Sequence, residues 1–237
     1  MHKGRKITTV LVFTNIIFLV AVALLAWKGG YLKSITSTLG IAPRYSYSDN
    51  VQYVERTSLF SIYEPALTEI VFVGDSITQR CDFNELFGIT SSVNRGIGSD
   101  TTEGVLNRIA DIIDLHPKKI FIMIGVNDLG LNVSQDIIKA NYRSILSILN
   151  EKLQDTQIYV LSVLPVSNGK IASSRIVALN SIINDLAEEY ENKYIDLYTI
   201  MSEKGELRAE LTIDGVHLLG NGYLLARDAL TKYVFKP

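Results

Sequence analysis

Short apolar segments alternate with helical patterns along this chain after residue 69. The segments that we predict as strands are residues 70–73, 92–94, 120–124, 157–164 and 194–197. Most of them are apolar at successive positions and are bounded by Gly or Pro, which indicates strands that are buried on both faces. Such strands are typical of a parallel sheet that is covered by helices on both sides. The pattern therefore predicts an α/β fold.

Apolar residues recur at helical spacing between these strands. One long helix is predicted after Ser134, a residue type that caps helices, and its apolar stripe is Ile138, Tyr142, Ile145, Leu149 and Leu153. The other predicted helices cover residues 51–63, 82–87, 101–115, 175–190 and 221 onward. The order of the elements predicts a single three-layer domain with a doubly wound parallel sheet over residues 49–237.

Two of these helices carry more specific expectations. The first is expected to pack on the domain through its apolar residues, which are Val51, Val54, Leu59, Ile62 and Tyr63. The helix over 101–115 is expected to begin at Asp100, because Glu103 follows at the spacing of a capping box.

The N-terminal segment has a different pattern. Residues 7–27 carry no charge, and the stretch is long enough for a helix to cross a bilayer. Lys3, Arg5 and Lys6 precede it, so the positive-inside rule places residues 1–6 in the cytoplasm and the rest of the chain outside the cell. A cleaved signal peptide is the alternative, but the apolar stretch exceeds the ~7–15 residues of a signal-peptide core. We predict an uncleaved transmembrane anchor, followed by a linker over residues 28–48.

Composition narrows the classes of function. The formal net charge is −2 and no basic patch stands out, which argues against nucleic acid as a partner. The single cysteine, Cys81, cannot form an internal disulfide and is interpreted as a structural residue. No group of Cys, His or carboxylate residues has the spacing of metal ligands, so neither a metal nor another cofactor is expected.

Polar residues follow the ends of three predicted strands and recur near the C-terminus. They lie in residues 74–76, 94–100, 125–128 and 214–217. In a doubly wound sheet the carboxyl ends of the strands meet at one edge, where ligands bind. We therefore expect the first three groups to converge there and the C-terminal loop to fold over them.

These residues have the chemistry of an acyl-transfer site. Ser76 is a nucleophile once a base removes its proton, and His217 has a side chain suited to that role. Asp214 lies three positions before His217 and is expected to hold the imidazole in the required tautomer. Backbone N–H groups near Ser99 and the side-chain amide of Asn127 are candidates to stabilise the oxyanion.

Each candidate also has a purely structural interpretation. Asp75 or Ser76 is a suitable cap for the next helix, and Asp214 is a suitable turn residue before Gly215, with His217 packed under the last helix. The arrangement is not the nucleophile elbow of α/β-hydrolases, because position 78 is Thr where that motif needs Gly.

Taken together, the four stretches resemble the SGNH, or GDSL-type, hydrolase family. The matching residues are GDSIT at 74–78, NRGIGSDTT at 94–102, GVND at 125–128 and DGVH at 214–217. The resemblance implies a flavodoxin-like fold, a triad of Ser76, His217 and Asp214, and an oxyanion hole formed by Ser76, Asn127 and either Ser99 or Gly98. The family usually has Gly where this chain has Ser99. The small esterases similar to platelet-activating-factor acetylhydrolase subunits look nearest.

From the residues and the resemblance we expect a membrane-anchored, extracytoplasmic serine esterase whose partner is an ester of a small, acetyl-like acid. Three alternatives stay open at this point. They are an O-acetyltransferase that acts on a cell-surface glycan, a lysophospholipase- or thioesterase-like hydrolase, and a catalytically silent domain that binds glycan or lipid.

Overall fold

Five parallel strands form the centre of the fold. A computed structural model describes residues 47–64 and 68–236. The strands are β1 (Ile70–Gly74), β2 (Ser92–Gly96), β3 (Lys119–Met123), β4 (Gln157–Leu161) and β5 (Lys193–Ile195), and their order in the sheet is β2-β1-β3-β4-β5. This is the flavodoxin-like order, whose switch point lies between β1 and β3. The α/β prediction is confirmed.

Helices cover the sheet and its edges. They are α1 (Val51–Phe60), α2 (Ser76–Gln79), α3 (Phe83–Phe87), α4 (Thr102–Asn107), α5 (Ile109–Ile113), α6 (Val126–Gly130), α7 (Gln135–Lys152), α8 (Ser173–Glu189), α9 (Tyr198–Met201) and α10 (Gly220–Val234). None of the helices in the described residues is long and apolar enough to cross a membrane. The predicted anchor, residues 7–27, and most of the predicted linker lie outside these residues.

Two apolar clusters lie on opposite faces of the sheet, because successive strand side chains point to opposite faces. Val71 and Ile122 belong to the cluster that also contains the buried stripes of α7 and α8. Phe72 and Phe121 belong to the other cluster, together with residues of α3 and α10. Phe72 stacks on Phe121 with ring centroids 5.0 Å apart. The core therefore fixes the strands from both sides and leaves their carboxyl ends at one edge.

The first helix packs on the domain, but not through the predicted residues. Val51, Val54, Leu59, Ile62 and Tyr63 are all exposed. Tyr53 and Phe60 are buried instead and form a separate apolar cluster with Ile97. Phe60 also lies under the guanidinium of Arg95, 4.4 Å from the ring centroid. Tyr53 and Phe60 are buried because they contact Ile97, in the loop after β2, and Phe60 also contacts Arg95 in β2.

The helix predicted over residues 101–115 is broken into α4 and α5. The break falls at Arg108, which leaves helical geometry with φ −103° and ψ 18°. Its side chain is buried and pairs with the carboxylate of Asp100 at 3.0 Å. Asp100 is therefore not the helix cap; Thr101 is, since its hydroxyl accepts a hydrogen bond from the Gly104 N–H.

Several short elements were not predicted. Residues 126–130 form the short helix α6, residues 198–201 form α9, and a two-stranded antiparallel ladder joins β6 (Ser202–Glu203) to β7 (Glu206–Leu207). The prediction at Ser134 is confirmed: its side chain accepts a hydrogen bond from the Ile137 N–H at the start of α7.

Asn180 joins α8 to the chain after β4 and provides a test of this packing. Its carboxamide accepts from the Val163 N–H at 2.8 Å and donates to the Val163 carbonyl at 2.9 Å. Because the Asn180→Ala change leaves two buried backbone groups unpaired, we expect the free energy of unfolding to fall by ~2–4 kcal/mol in urea denaturation. The Asn184→Ala variant of the same helix, whose side-chain amide donates to the Glu188 carboxylate at the surface, is the control and should change it by less than ~0.5 kcal/mol. Equal effects of the two changes would contradict the assignment.

Candidate active site

Ser76 lies at the carboxyl end of β1, as the first residue of α2. Asp75 caps this helix, since its carboxylate accepts a hydrogen bond from the Ile77 N–H at 2.9 Å. Gly74 makes the turn possible, because a Cβ there would lie 2.1 Å from the Thr78 hydroxyl and 2.6 Å from the Met123 carbonyl oxygen. The capping interpretation thus holds for Asp75, while the hydroxyl of Ser76 is left to face the C-terminal loop.

His217 lies directly against Ser76. The Ser76 Oγ is 2.9 Å from His217 Nε2, although the two residues are 141 positions apart in the chain. On the other side of the ring, His217 Nδ1 is 2.5 Å from Asp214 Oδ2. Because a carboxylate only accepts hydrogen bonds, this contact assigns the proton to Nδ1 and leaves Nε2 able to accept from Ser76. The purely structural interpretations of Asp214 and His217 do not account for this chain of contacts.

The loop that carries Asp214 and His217 is closed on itself. Thr212 and Leu218 form a β-bridge, and the Gly215 N–H donates to the Thr212 hydroxyl at 2.9 Å. Asp214 Oδ1 also accepts from the His217 N–H, at 2.8 Å. Hydrogen bonds from the His217 side chain and backbone hold the pKa of Asp214 below its ordinary value, so the carboxylate is anionic at neutral pH. The orientation of acid and imidazole is therefore set locally.

Asn127 is brought to the same edge by β3 and α6. Gly125, with φ 129°, turns the chain between them. The side-chain amide of Asn127 donates one hydrogen bond to the Asp100 carbonyl at 2.9 Å, which ties it to the loop after β2. An amide nitrogen carries two N–H bonds, so Asn127 has a second donor for a substrate oxygen.

Gly98 and Ser99, the two candidate backbone donors, lie in the loop after β2. The Gly98 N–H donates to the side-chain oxygen of Gln79, in the same short helix as Ser76. This bond directs the Gly98 N–H away from the role of oxyanion donor. Ser99 has φ 58°, in the left-handed region that costs a non-glycine residue ~1–2 kcal/mol. The Gly98 N–H is therefore already engaged, and Ser99 is the other position that the resemblance gives for the backbone donor.

Three buried carboxyl groups lie beneath the site: Asp75, Asp100 and Asp128. Burial raises the pKa of Asp75 to about 7, and the charges of Asp100 and Asp128 add to that rise. Burial also raises the pKa of Asp128 to about 6, and the charge of Asp100 adds to it. Burial also raises the pKa of Asp100, and the neighbouring Arg108 opposes that shift.

The sequence analysis did not predict that these three buried carboxyl groups lie close to one another. The signal was present, because each aspartate is the immediate neighbour of a predicted site residue, Ser76, Ser99 or Asn127. Asp128 accepts hydrogen bonds from the Thr102 N–H at 3.1 Å and hydroxyl at 2.6 Å, which joins the loops after β2 and β3.

Cys81 is buried and lies outside the group formed by Ser76, His217 and Asp214. Burial raises the pKa of the Cys81 thiol to about 12, so Cys81 is not a nucleophile at neutral pH. Within the part of the chain that the structure describes, no group of three or more His, Cys, Asp or Glu residues is placed to hold a metal ion.

Known proteins resemble this chain in sequence and structure. Platelet-activating factor acetylhydrolase IB subunit alpha1 of Bos taurus is 32% identical over 103 residues, which span 41% of this chain and only 44% of that subunit. The alpha2 subunit of Rattus norvegicus is 26% identical over 170 residues, or 65% of this chain and 71% of the subunit. A solved structure from Streptococcus pneumonia, described as a platelet activating factor, is 28% identical, has a TM-score of 0.69, and matches 77% of this chain and 91% of its own.

The family is shown by a longer match. The family model described as the GDSL-like Lipase/Acylhydrolase family covers residues 72–225, more than half of the 237-residue chain. The matched segment begins within β1 and includes Ser76, Asn127, Asp214 and His217. The resemblance found in the sequence is therefore confirmed, and the chain belongs to the GDSL-like lipase/acylhydrolase family, a family of serine ester hydrolases.

Proposed function

We propose that this protein hydrolyses esters through Ser76, with His217 as general base and Asp214 as the group that orients it. The observation that carries the proposal is the continuous path from Ser76 Oγ to His217 Nε2 at 2.9 Å and from His217 Nδ1 to Asp214 at 2.5 Å. A hydroxyl is a weak nucleophile until such a base accepts its proton.

The reaction proceeds in two halves. Ser76 Oγ attacks the ester carbonyl carbon while its proton moves to His217 Nε2. The tetrahedral intermediate collapses, the alcohol leaves with the proton from His217, and the acyl group stays on Ser76. Water then gives a proton to His217 and attacks the acyl-enzyme, which releases the acid and returns the proton to Ser76.

Negative charge develops on the carbonyl oxygen in each half of the reaction. The proposed donors to that oxygen are the backbone N–H groups of Ser76 and Ser99 and the side-chain amide of Asn127. The positions of two of these groups support the proposal. The Ser76 N–H is at the start of α2, and the Asn127 side chain is hydrogen-bonded to the Asp100 carbonyl, in the loop that carries Ser99. Donors that are fixed before the reaction begins need no reorganisation as charge develops.

We propose a small acyl group, such as acetyl. The relatives that match in sequence carry the name acetylhydrolase. The loop over residues 166–174 is held against the His217 loop, since the Ser167 N–H donates to the Gly215 carbonyl at 2.8 Å. This contact places the loop beside the reacting groups, where it can limit the length of the acyl chain.

We also propose that residues 7–27 anchor the enzyme in the cell membrane, with residues 1–6 in the cytoplasm and the catalytic domain outside. The support is the uncharged stretch and the basic residues that precede it.

The Ser76→Ala change tests the nucleophile. We expect hydrolysis of p-nitrophenyl acetate to fall by ~10³-fold or more, because Ser76 carries the only hydroxyl that is hydrogen-bonded to His217 among the described residues. Labelling by a fluorophosphonate should disappear, while the thermal unfolding midpoint stays close to that of the unchanged protein. Ser147→Ala, an exposed serine of α7, is the matched control. Persistent turnover in the Ser76 variant would rule out the proposed function.

The Asn127→Ala change tests the oxyanion role. Loss of one donor that acts in the transition state should lower kcat by ~10²–10³-fold, with KM changed by no more than a few-fold. Steady-state kinetics on the same ester separates the two parameters. A rise in KM alone would remove Asn127 from the oxyanion site.

Cell fractionation tests the anchor. The full-length chain is expected to sediment with membranes and to resist alkaline carbonate washing, whereas a chain without residues 1–46 should be released. Recovery of the full-length chain in the washed supernatant would contradict the anchor and leave the esterase assignment intact.

A further inference from the structure

Helix α1 precedes the segment that the family model covers, yet it contacts the loop that carries Ser99. The family match begins at residue 72, whereas α1 ends at Phe60. The side-chain amide of Asn50, the N-cap of α1, donates to the Gly98 carbonyl at 2.7 Å. The carboxamide of Gln52 lies over the Gly98 Cα, so that a Cβ there would be 1.9 Å from Gln52 Oε1.

Both backbone polar groups of Gly98 are thus held by side chains. Its N–H donates to Gln79, which belongs to the same helix as Ser76, and its carbonyl accepts from Asn50. Side chains from α1 and α2 therefore fix Gly98 from both sides.

The bond from Asn50 has a direct consequence for Ser99. The Gly98 carbonyl and the Ser99 N–H belong to the same peptide unit, which is planar and trans. In a trans peptide these two groups point in opposite directions. By holding the carbonyl, the Asn50 amide sets the direction in which the Ser99 N–H points.

The backbone conformation of Ser99 requires that the loop be held in place, and the hydrogen bond from Asn50 contributes to this. A non-glycine residue with φ 58° is strained, and such a conformation persists only where its surroundings hold it. Ile97, on the other side of Gly98, is fully buried against Tyr53 and Phe60 of α1. Helix α1 therefore anchors the loop by an apolar contact at Ile97 and by a hydrogen bond at Gly98.

We propose that Asn50 is a positioning residue for the oxyanion hole: its side-chain amide orients the Gly98–Ser99 peptide so that the Ser99 N–H faces the reacting carbonyl. The proposal rests on the proposed function, because it requires Ser99 to act as an oxyanion donor. Asn50 touches no reacting atom in this role.

The Asn50→Asp change separates the two roles of this side chain. Its Oδ1 accepts from the Gln52 N–H at 3.1 Å and caps α1, and aspartate caps a helix equally well. The amide donor to Gly98, however, is replaced by a carboxylate oxygen that repels the carbonyl. Asn50→Ser also retains a capping oxygen and removes the amide without adding charge.

The experiment uses the full-length chain in detergent and p-nitrophenyl acetate as substrate. We expect both variants to lower kcat by ~10–10²-fold with KM within about twofold, because only the transition state needs the aligned donor. Affinity for an alkyl boronic acid, which forms a tetrahedral adduct with Ser76, should fall by a similar factor. The thermal midpoint should fall by less than ~4 °C.

Asn150→Asp is the matched control. Asn150 also donates its side-chain amide to a backbone carbonyl, that of Leu146 at 2.8 Å, but it lies in α7. Its kcat should stay within about twofold of the unchanged protein.

Three results would overturn the inference. They are an unchanged kcat in both Asn50 variants, a rise in KM without loss of kcat, and a loss of activity that only follows the fraction of folded protein. Provided that Ser76→Ala is inactive, each of these results removes the role of Asn50 and leaves the esterase assignment in place. Activity in Ser76→Ala would instead remove the proposed function itself.

Discussion

The buried ion pair between Arg108 and Asp100 is the constraint that joins the three strand-end loops. The guanidinium contacts the Asp100 carboxylate at 3.0 Å and the Gly74 carbonyl at 3.4 Å, so it ties the loop after β2 to the end of β1. The Asp100 carbonyl in turn accepts from Asn127, which follows β3. Removal of one partner from such a buried pair typically costs ~3–5 kcal/mol. The same pair explains why the helix after Thr101 breaks at Arg108.

The sequence predicts the sheet well, and it selects the candidate site residues, because both depend on local patterns. A strand that is buried on both faces can be predicted from a run of apolar residues alone, and Val71 and Ile122 belong to such runs. Ser76 and Asn127 follow strand ends, which parallel strands bring to one edge, whereas Asp214 and His217 were selected by their spacing and chemistry. Ser76, Asn127, Asp214 and His217 could therefore be selected before their distances were known.

What the sequence did not predict depends on partners that are distant along the chain. In α1 the apolar pattern pointed to Val51 and Ile62, but the buried face is chosen by Ile97 and Arg95, which contact Tyr53 and Phe60. The hydrogen bond from the Gly98 N–H to the Gln79 side chain likewise joins residues 19 positions apart, and no pattern in the sequence predicts it. These contacts join residues that are distant in the sequence, so the local pattern of apolar and polar residues does not predict them.

The closed loop from Thr212 to Leu218 has a consequence for how the enzyme loses activity. Since Asp214 and His217 are hydrogen-bonded to each other within this loop, a displacement of the loop would move both residues together. The acid and the imidazole keep their pairing, and only the gap to Ser76 opens. Mild heat or denaturant that displaces the loop would therefore separate His217 from Ser76 and stop catalysis while the hydrogen bond between His217 and Asp214 persists. Inactivation would then precede the loss of the sheet.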